Sequence, residues 1–446
     1  MNERRTDFIA GGGGPLRGEI RVAGDKSISH RSIMLGSIAE GVTEVEGFLE
    51  GEDSLATLAA FRAMGVRIER PSTGRVSVHG VGLRGLCPPQ SDLDLGNSGT
   101  SMRLLAGLLS GQPFDSRLTG DASLTRRPMA RVATPLRMMG ARIDTAEGGR
   151  PPLLIHGGSA LRGIDYQMPV ASAQVKSALL LAGLYAQGVT SVVEPAPTRD
   201  HTERMLSGFG YSVIKDGARA QLQGGGRLTA TRIQVPADIS SAAFFLVAAS
   251  IAPGSDVLLR DVGINPTRTG VIDILRLMGA SIELLAERES GGEPVADLRV
   301  RGAPLRGIVI PVELVPLAID EFPVLFVAAA CAEGETLLRG AEELRVKESD
   351  RIEVMATGLR ALGVELETFP DGIRIRGRDT LDGGSIDSCG DHRIAMAFSV
   401  ASLRASDAIA IADCANVATS FPGFRSLAAS IGLAVDEHSA PAGHSA

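Results

Sequence analysis

Cations, small hydroxyls and glycines recur where this chain turns from a strand into a helix. In Gly24-Asp25-Lys26-Ser27-Ile28-Ser29-His30-Arg31, Lys26 and Ser27 fall in the first turn of an expected helix and Arg31 about one turn on. A helix N-terminus already presents unpaired N–H groups and partial positive charge. Adding Lys, Ser and Arg makes an anion site, although the same residues could be an ordinary capped surface helix. Leu95-Gly96-Asn97-Ser98-Gly99-Thr100-Ser101-Met102-Arg103 repeats the idea with glycines that let backbone approach a ligand closely. It matches neither the Walker pattern nor the dinucleotide fingerprint. Arg126 and Arg127 precede a helix-starting Pro128 and could equally be solvated surface charges. Ser172-Ala173-Gln174-Val175-Lys176 and Thr198-Arg199-Asp200-His201-Thr202-Glu203 open two more expected helices, where polar caps are the default explanation.

Carboxylates join the cations late in the chain. Asp320-Glu321 precedes the very apolar run Val324 to Ala332, so at least one carboxylate should lie at a partly buried helix start. Positioned against a hydroxyl, such a group accepts its proton, and N-capping is compatible with that role. Lys347-Glu348-Ser349-Asp350-Arg351 reads as one helical turn with i,i+3 and i,i+4 neighbours on one face, commonly a surface salt-bridged helix. Cys389-Gly390-Asp391-His392-Arg393 is a third such junction.

The elements that must position these groups form a repeat. An apolar residue, a glycine, two variable residues, an aliphatic residue and usually an acid return at Met64-Gly65, Met139-Gly140, Phe209-Gly210, Met278-Gly279, Leu362-Gly363 and Ile431-Gly432. A glycine there can take positive φ and end a helix, with alternating strand residues after it. The spacing predicts six α/β units of about 70 residues, divided most simply into two domains of three. In the first, Gly18 to Val22 reads as a strand, Ile28, Ile33, Met34, Leu35 and Ile38 as a helical stripe, and Asp53 or Ser54 as the cap of a second helix, giving β-α-β-α-β-β. The fourth unit repeats this from a strand at Arg232 to Val235, with a second domain beginning or resuming near 237. Gly224 to Gly226 and Gly291-Gly292 read as hairpin loops, and the tail after Asp436 as frayed.

Composition narrows the function. With 446 residues, 44% apolar and 22% charged, the chain can bury more than one core. A net charge of −7 argues against a nucleic-acid footprint, so any anion site is local. Cys87, Cys331, Cys389 and Cys414 have no paired or zinc-finger spacing, which points to buried thiols in a reducing cytoplasm. No secretory signal is expected at the start, and the runs Ala242 to Ala252 and Val324 to Ala332 are too short for a membrane span of about 20 residues.

Taken in order, Gly24-Asp25-Lys26-Ser27 through Arg31, Leu95-Gly96-Asn97 through Arg103, Arg127-Pro128, Ser172-Ala173-Gln174, Thr198-Arg199-Asp200-His201, Asp320-Glu321, Lys347 through Arg351 and Asp391 through Met396 resemble the 5-enolpyruvylshikimate-3-phosphate synthase family. The resemblance covers essentially the whole chain. It implies transfer of the enolpyruvyl group of phosphoenolpyruvate to the 5-hydroxyl of shikimate 3-phosphate with release of phosphate, on the way to chorismate and aromatic amino acids. It also implies an inverse α/β repeat fold of six βαβαββ units, three per domain, with the active site in the interdomain cleft. One domain would be residues 1–24 plus 238–446, the other 25–237.

By the same resemblance Lys26, Ser27, Arg31, Ser172, Ala173, Gln174 and Arg199 would hold shikimate 3-phosphate, with Asp320 and Lys347 at its reacting hydroxyl. Lys26, Gly99, Arg127, Gln174, Arg351 and Arg393 would hold phosphoenolpyruvate. Asp320 is the implied base, and Glu348, helped by Lys26, the implied acid toward the methylene carbon. Clustered Arg and Lys suit two phosphate-bearing ligands that would otherwise repel. No metal or organic cofactor is implied, and a cytoplasmic monomer is expected. Gly99 should leave room for an inhibitor longer than phosphoenolpyruvate, such as glyphosate. Some members have a lysine just before the late Phe-Pro, where this chain has Thr419-Ser420-Phe421-Pro422.

Two other readings compete. The related UDP-N-acetylglucosamine enolpyruvyl transferase usually carries a cysteine in the loop equivalent to Leu118 to Val132, absent here, and has Lys-Asn where this chain has Lys26-Ser27. A non-catalytic anion-binding repeat protein would have no reason to keep Asp320 and Glu348 among its cations.

Overall fold

The six recurring glycines end six helices. Gly65, Gly140, Gly210, Gly279, Gly363 and Gly432 have φ of 88°, 99°, 78°, 97°, 78° and 105°, so each reverses the chain out of the preceding helix. Strands then begin at Arg67, Arg142, Val213, Ser281, Glu365 and Ala434. These features come from a computed structural model that describes residues 5–440.

The chain forms two compact units. One falls within Met1–Ala23, Pro236–Arg288 and Pro294–Ala446, the other within Gly24–Val235 and Glu289–Glu293. Each contains three small sheets, all mixed except the three-stranded one of Glu335–Leu338, Gly372–Arg376 and Glu365–Phe369, which is antiparallel. In the first sheet of the Gly24–Val235 unit, Arg232–Gln234 runs parallel to Glu40–Glu46, which pairs antiparallel with Arg75–Val81, itself antiparallel to Arg67–Ser72. Leu93–Asp94 with Ser116–Thr119, and Asp165–Gln167 with Val189–Val193, start the other two sheets in the same way.

Two strands are exchanged relative to the sequence reading. Arg17–Ile20, read as the first strand of the first repeat, pairs in parallel with Asp256–Gly263 of the fourth. Arg232–Gln234, read as the opening of the fourth, completes the first. Five of the six sheets carry a parallel edge strand, and in these two sheets similar alternating segments supply it to each other. The sixth sheet is completed from the far end of the sequence, because Arg5–Gly11 lies between Ile409–Ala412 and Ala434–Ala440, antiparallel to both. The tail is therefore strand through Ala440 and not frayed there, while residues 441–446 lie outside the described residues. Gly224 to Gly226 lead from one sheet into another, whereas Gly291-Gly292 do close a hairpin.

The first helix of each repeat is buried. All of Ile239–Ile251 and all of Phe322–Ala330 are buried, and these two pack on each other and on His392–Ala401. A helix apolar on every side belongs in such a core. In the other unit Gly99–Leu109 packs on Ala173–Gly183 so closely that a Cβ on Gly107 would lie 2.1 Å from the Ala178 carbonyl oxygen. Lys26–Ile38 is buried from Ile28 to its end, polar residues included, which is wider than the stripe the sequence suggests.

All four cysteines are free, but only Cys331 and Cys414 are buried; Cys87 and Cys389 are exposed. Among the described residues no helix is long and apolar enough to cross a membrane.

Candidate active site

Burying the first helices brings their N-termini, with the residues just before them, to places where polar side chains collect. Asp25 caps Lys26–Ile38 by accepting from the Ile28 N–H at 2.9 Å. Lys26 opens that helix and its ammonium pairs with Asp53, a residue the sequence suggested as a cap. The cap of the second helix is instead Gly51, without a side-chain bond, which leaves the Asp53 carboxylate for Lys26.

Arg31 is buried, yet its guanidinium meets neutral acceptors: Nε donates to Thr202 Oγ1 at 2.7 Å, Nη2 to Ser177 Oγ at 2.9 Å and Nη1 to the Ser27 carbonyl at 3.0 Å. Burial pushes it down to about 10, Glu203 opposes that shift and Arg199 adds to it, so Arg31 stays charged near a second cation. His30, between Lys26 and Arg31 in sequence, is a core group: burial first, then Lys26 and Arg31, push its imidazole well below the usual range, and Nδ1 lies 2.8 Å from Thr57 Oγ1.

A second group surrounds Gly99. Ser98 caps Gly99–Leu109 and Ser172 caps Ala173–Gly183, so Gly99 and Ala173 each begin a helix. Arg103 Nη1 donates to Gln174 Oε1 at 2.6 Å, and Gln174 Nε2 donates to Thr100 Oγ1 at 3.0 Å. Arg127 Nη2 donates to Asn97 Oδ1 at 2.6 Å. A Cβ on Gly99 would lie 2.9 Å from Arg103 Nη1 and 3.1 Å from Arg127 Nη1, so backbone, amide and two guanidinia converge here. Pro128 does not start the following helix, which begins at Ala130 after the short 3-10 turn Leu124–Arg126.

The remaining candidates gather in the other unit. Asp320 Oδ1 lies 3.3 Å from Lys347 Nζ and 3.4 Å from Arg351 Nη1. Arg351 Nη2 donates to Glu348 at 2.8 Å and Nε to Asp391 at 2.8 Å. Arg393 Nη1 donates to the Asp320 carbonyl at 2.9 Å. Burial would pull the Arg351 guanidinium down, but Asp391, Glu348 and Asp320 hold it above its ordinary value. Lys347 to Asp350 are not helical, contrary to the sequence reading. A 3-10 turn ends at Val346, Lys347 is extended, and Asp350 caps a helix that begins at Arg351. The Glu348–Arg351 contact survives because it spans the cap.

The sequence-predicted residues thus fall into two sets: Lys26, Ser27, Arg31, Gly99, Arg127, Ser172, Ala173, Gln174 and Arg199 in one unit, Asp320, Lys347, Glu348, Arg351 and Arg393 in the other. Reading by motif gave no site role to Asn97, Arg103 or Asp391 and made Asp53 only a helix cap, yet each fixes one of these cations or the amide. Their signal was position, at or near a helix start beside a cation. Thr419, two residues before Phe421-Pro422, is buried and donates to the Asn416 carbonyl at 2.7 Å. Among the described residues no group of three or more His, Cys, Asp and Glu could hold a metal ion.

Small βαβαββ sheets around buried helices, with cations and carboxylates at the helix starts, define an α/β repeat protein suited to polyanionic ligands. The family model for EPSP synthase (3-phosphoshikimate 1-carboxyvinyltransferase) matches residues 11–427, and the chain belongs to that family. It is 70% identical over 436 residues to the 3-phosphoshikimate 1-carboxyvinyltransferase of Methylococcus capsulatus, covering 98% of this chain and 100% of that one. The enzyme of the same name from Alkalilimnicola ehrlichii is 68% identical, with 96% of each chain covered. A solved EPSP synthase from Acinetobacter baumannii superposes with a TM-score of 0.88 at 59% identity, over 97% of this chain and 100% of that one.

Proposed function

We infer that this chain transfers the enolpyruvyl group of phosphoenolpyruvate to the 5-hydroxyl of shikimate 3-phosphate. Asp320 takes the hydroxyl proton as the oxygen bonds to C2 of phosphoenolpyruvate, and Glu348 gives a proton to the methylene carbon. Loss of a methyl proton and of phosphate from the tetrahedral adduct then regenerates the vinyl group. The observation that supports this most is the Arg351 guanidinium, shared between Asp320 and Glu348, which places base and acid candidates around one fixed cation.

Lys26, Ser27, Arg31, Ser172, Ala173, Gln174 and Arg199 bind shikimate 3-phosphate, with Lys347 beside Asp320 at the reacting hydroxyl. Lys26, Gly99, Arg127, Gln174, Arg351 and Arg393 bind phosphoenolpyruvate. Guanidinia suit the planar carboxylate and the phosphate because they donate in a fixed fork. The enzyme acts as a cytoplasmic monomer on small molecules, without nucleic acid or membrane; a dimer in sedimentation at working concentration would refute the monomer.

Mixing the protein with both substrates and following phosphate release tests the reaction. Release is expected only when both are present. No release with both would overturn the assignment, and release supported by UDP-N-acetylglucosamine in place of shikimate 3-phosphate would favour the related transferase.

A further inference from the structure

Lys176 carries a buried charge that the proposed chemistry does not use. Its side chain is 1% exposed, and its ammonium lies 3.0 Å from Glu194 Oε2 and 2.8 Å from Glu203 Oε1, both carboxylates being buried as well. Burial alone would pull the ammonium down, but Glu203 and then Glu194 raise it overall, so it stays charged. One cation between two carboxylates leaves an excess negative charge. Arg31, on which Glu203 acts from beyond its three neutral hydrogen-bond acceptors, supplies the balance.

The two glutamates bracket the segment that carries the proposed phosphate ligands. Glu194 accepts from the Thr198 N–H at 3.3 Å and from Thr198 Oγ1 at 2.6 Å, closing the loop that delivers Arg199. Glu203 lies in the first turn of the helix His201–Gly208, next to Thr202. Thr202 Oγ1 accepts from Arg31 and donates at 2.7 Å to Ser177, the residue after Lys176 and itself an acceptor from Arg31. A single ammonium therefore ties both ends of residues 194–203 to the helix Ala173–Gly183, which also begins with Ala173 and Gln174.

We propose that Lys176 is a positioning residue for shikimate 3-phosphate, clamping residues 194–203 so that Arg199 and the backing of Arg31 are fixed before the ligand arrives. The proposal rests on the assignment of Arg31 and Arg199 to that substrate. Lys176 touches no ligand and acts through those two cations. A core ion cluster with no further role would affect stability and leave the two substrates equally served.

Lys176→Met and Lys176→Arg test this in the full chain. The measurements are calorimetric titration with shikimate 3-phosphate, phosphate release with each substrate varied, and the thermal midpoint. In Lys176→Met the Kd and KM for shikimate 3-phosphate should rise about ten- to a hundredfold, the order expected when a binding group is displaced by about 1 Å. The KM for phosphoenolpyruvate should move by less than about threefold, and Lys176→Arg should recover part of the loss. Shikimate 3-phosphate affinity within about twofold of wild type in folded Lys176→Met, or an equal rise for both substrates, would overturn the proposal. If Lys176→Met does not fold, Glu194→Gln decides. It keeps the Lys176–Glu203 pair while weakening the loop closure, and an unchanged Kd for shikimate 3-phosphate there would count as refutation. Failure of the wild type to bind shikimate 3-phosphate would instead refute the underlying assignment.

Discussion

Arg351 donates from Nε to Asp391 Oδ2 at 2.8 Å, and both side chains are out of contact with solvent. Asp391 also caps the helix His392–Ala401 by accepting from the Arg393 N–H at 3.0 Å. One carboxylate thus holds the Arg351 guanidinium and the backbone of Arg393, two residues assigned to phosphoenolpyruvate.

Asp391→Asn should destabilise the fold and raise the KM for phosphoenolpyruvate. Removing one partner of a buried pair costs about 3 kcal/mol, because the other charge is left poorly compensated. Burial pushes the Asp391 carboxyl up, and the Arg351 guanidinium more than reverses this, leaving it below its usual value. A depressed carboxyl contributes stability that is complete above its unfolded value of about pH 4 and is lost as pH falls through the folded one. Urea unfolding at pH 7, and again from pH 5 to pH 3, should show a large loss for the variant at neutral pH and a gap to wild type that narrows in acid. A gap independent of pH would show that the charge is not what matters.

Why Asp391 escaped a role in the sequence, while the scaffold did not, is a matter of range. The six glycine phrases report a local property, the positive φ that ends a helix, and local properties leave local signatures. Asp391, Asp53 and Asn97 look like ordinary polar turn residues until a partner 27 to 40 positions away is brought to them. The exchange of Arg17–Ile20 and Arg232–Gln234 was hidden for the same reason: either segment alternates well enough for either sheet, and only tertiary packing chooses. Lys347 to Asp350 read as helix because the charges had helical spacing, but Asp350 is a better cap than interior residue.

Gly99→Ala should weaken phosphoenolpyruvate binding and weaken glyphosate inhibition more. The added methyl carbon would lie 2.9 Å from Arg103 Nη1 and 3.1 Å from Arg127 Nη1, so both guanidinia must move before a ligand binds. A rise of about tenfold in KM follows from displacing such groups by a fraction of an ångström. Phosphate release at varied phosphoenolpyruvate, with and without glyphosate, measures both effects. An unchanged KM would mean that neither guanidinium faces the ligand.

Asp320→Asn and Glu348→Gln should lower kcat by about 10² to 10⁴ while leaving the fold intact, the range for loss of a general base or acid. They should differ in one respect. Glu348→Gln removes a charge paired with buried Arg351 at 2.8 Å, whereas Asp320 lies 3.4 Å from the same guanidinium. Glu348→Gln should therefore also raise the KM for phosphoenolpyruvate. Single-turnover phosphate release with bound substrates checks the chemical step, and a rate within tenfold of wild type would remove the role from that residue.

The scaffold makes its own demand, and two of its glycines separate backbone strain from crowding. Gly210 has φ 78° and nothing within 4 Å of a built Cβ, while Gly363 has the same φ but a Cβ there would lie 2.0 Å from Arg378 Nη1 and 2.1 Å from Asp382 Oδ2. Gly210→Ala should cost about 1–2 kcal/mol, the left-handed penalty alone. Gly363→Ala carries that same penalty and must also displace the Arg378–Asp382 pair, whose arginine donates to the Leu362 carbonyl at the end of the helix. Because that pair is partly exposed, most of its ion-pair energy is screened, and the extra cost comes from the lost helix-end hydrogen bond, about 1 kcal/mol. Urea unfolding of both variants should order them Gly363→Ala below Gly210→Ala below wild type, with kcat unchanged in each at a temperature where both are folded. Equal losses would show that Arg378 and Asp382 move aside freely and that φ alone sets the cost at the helix ends.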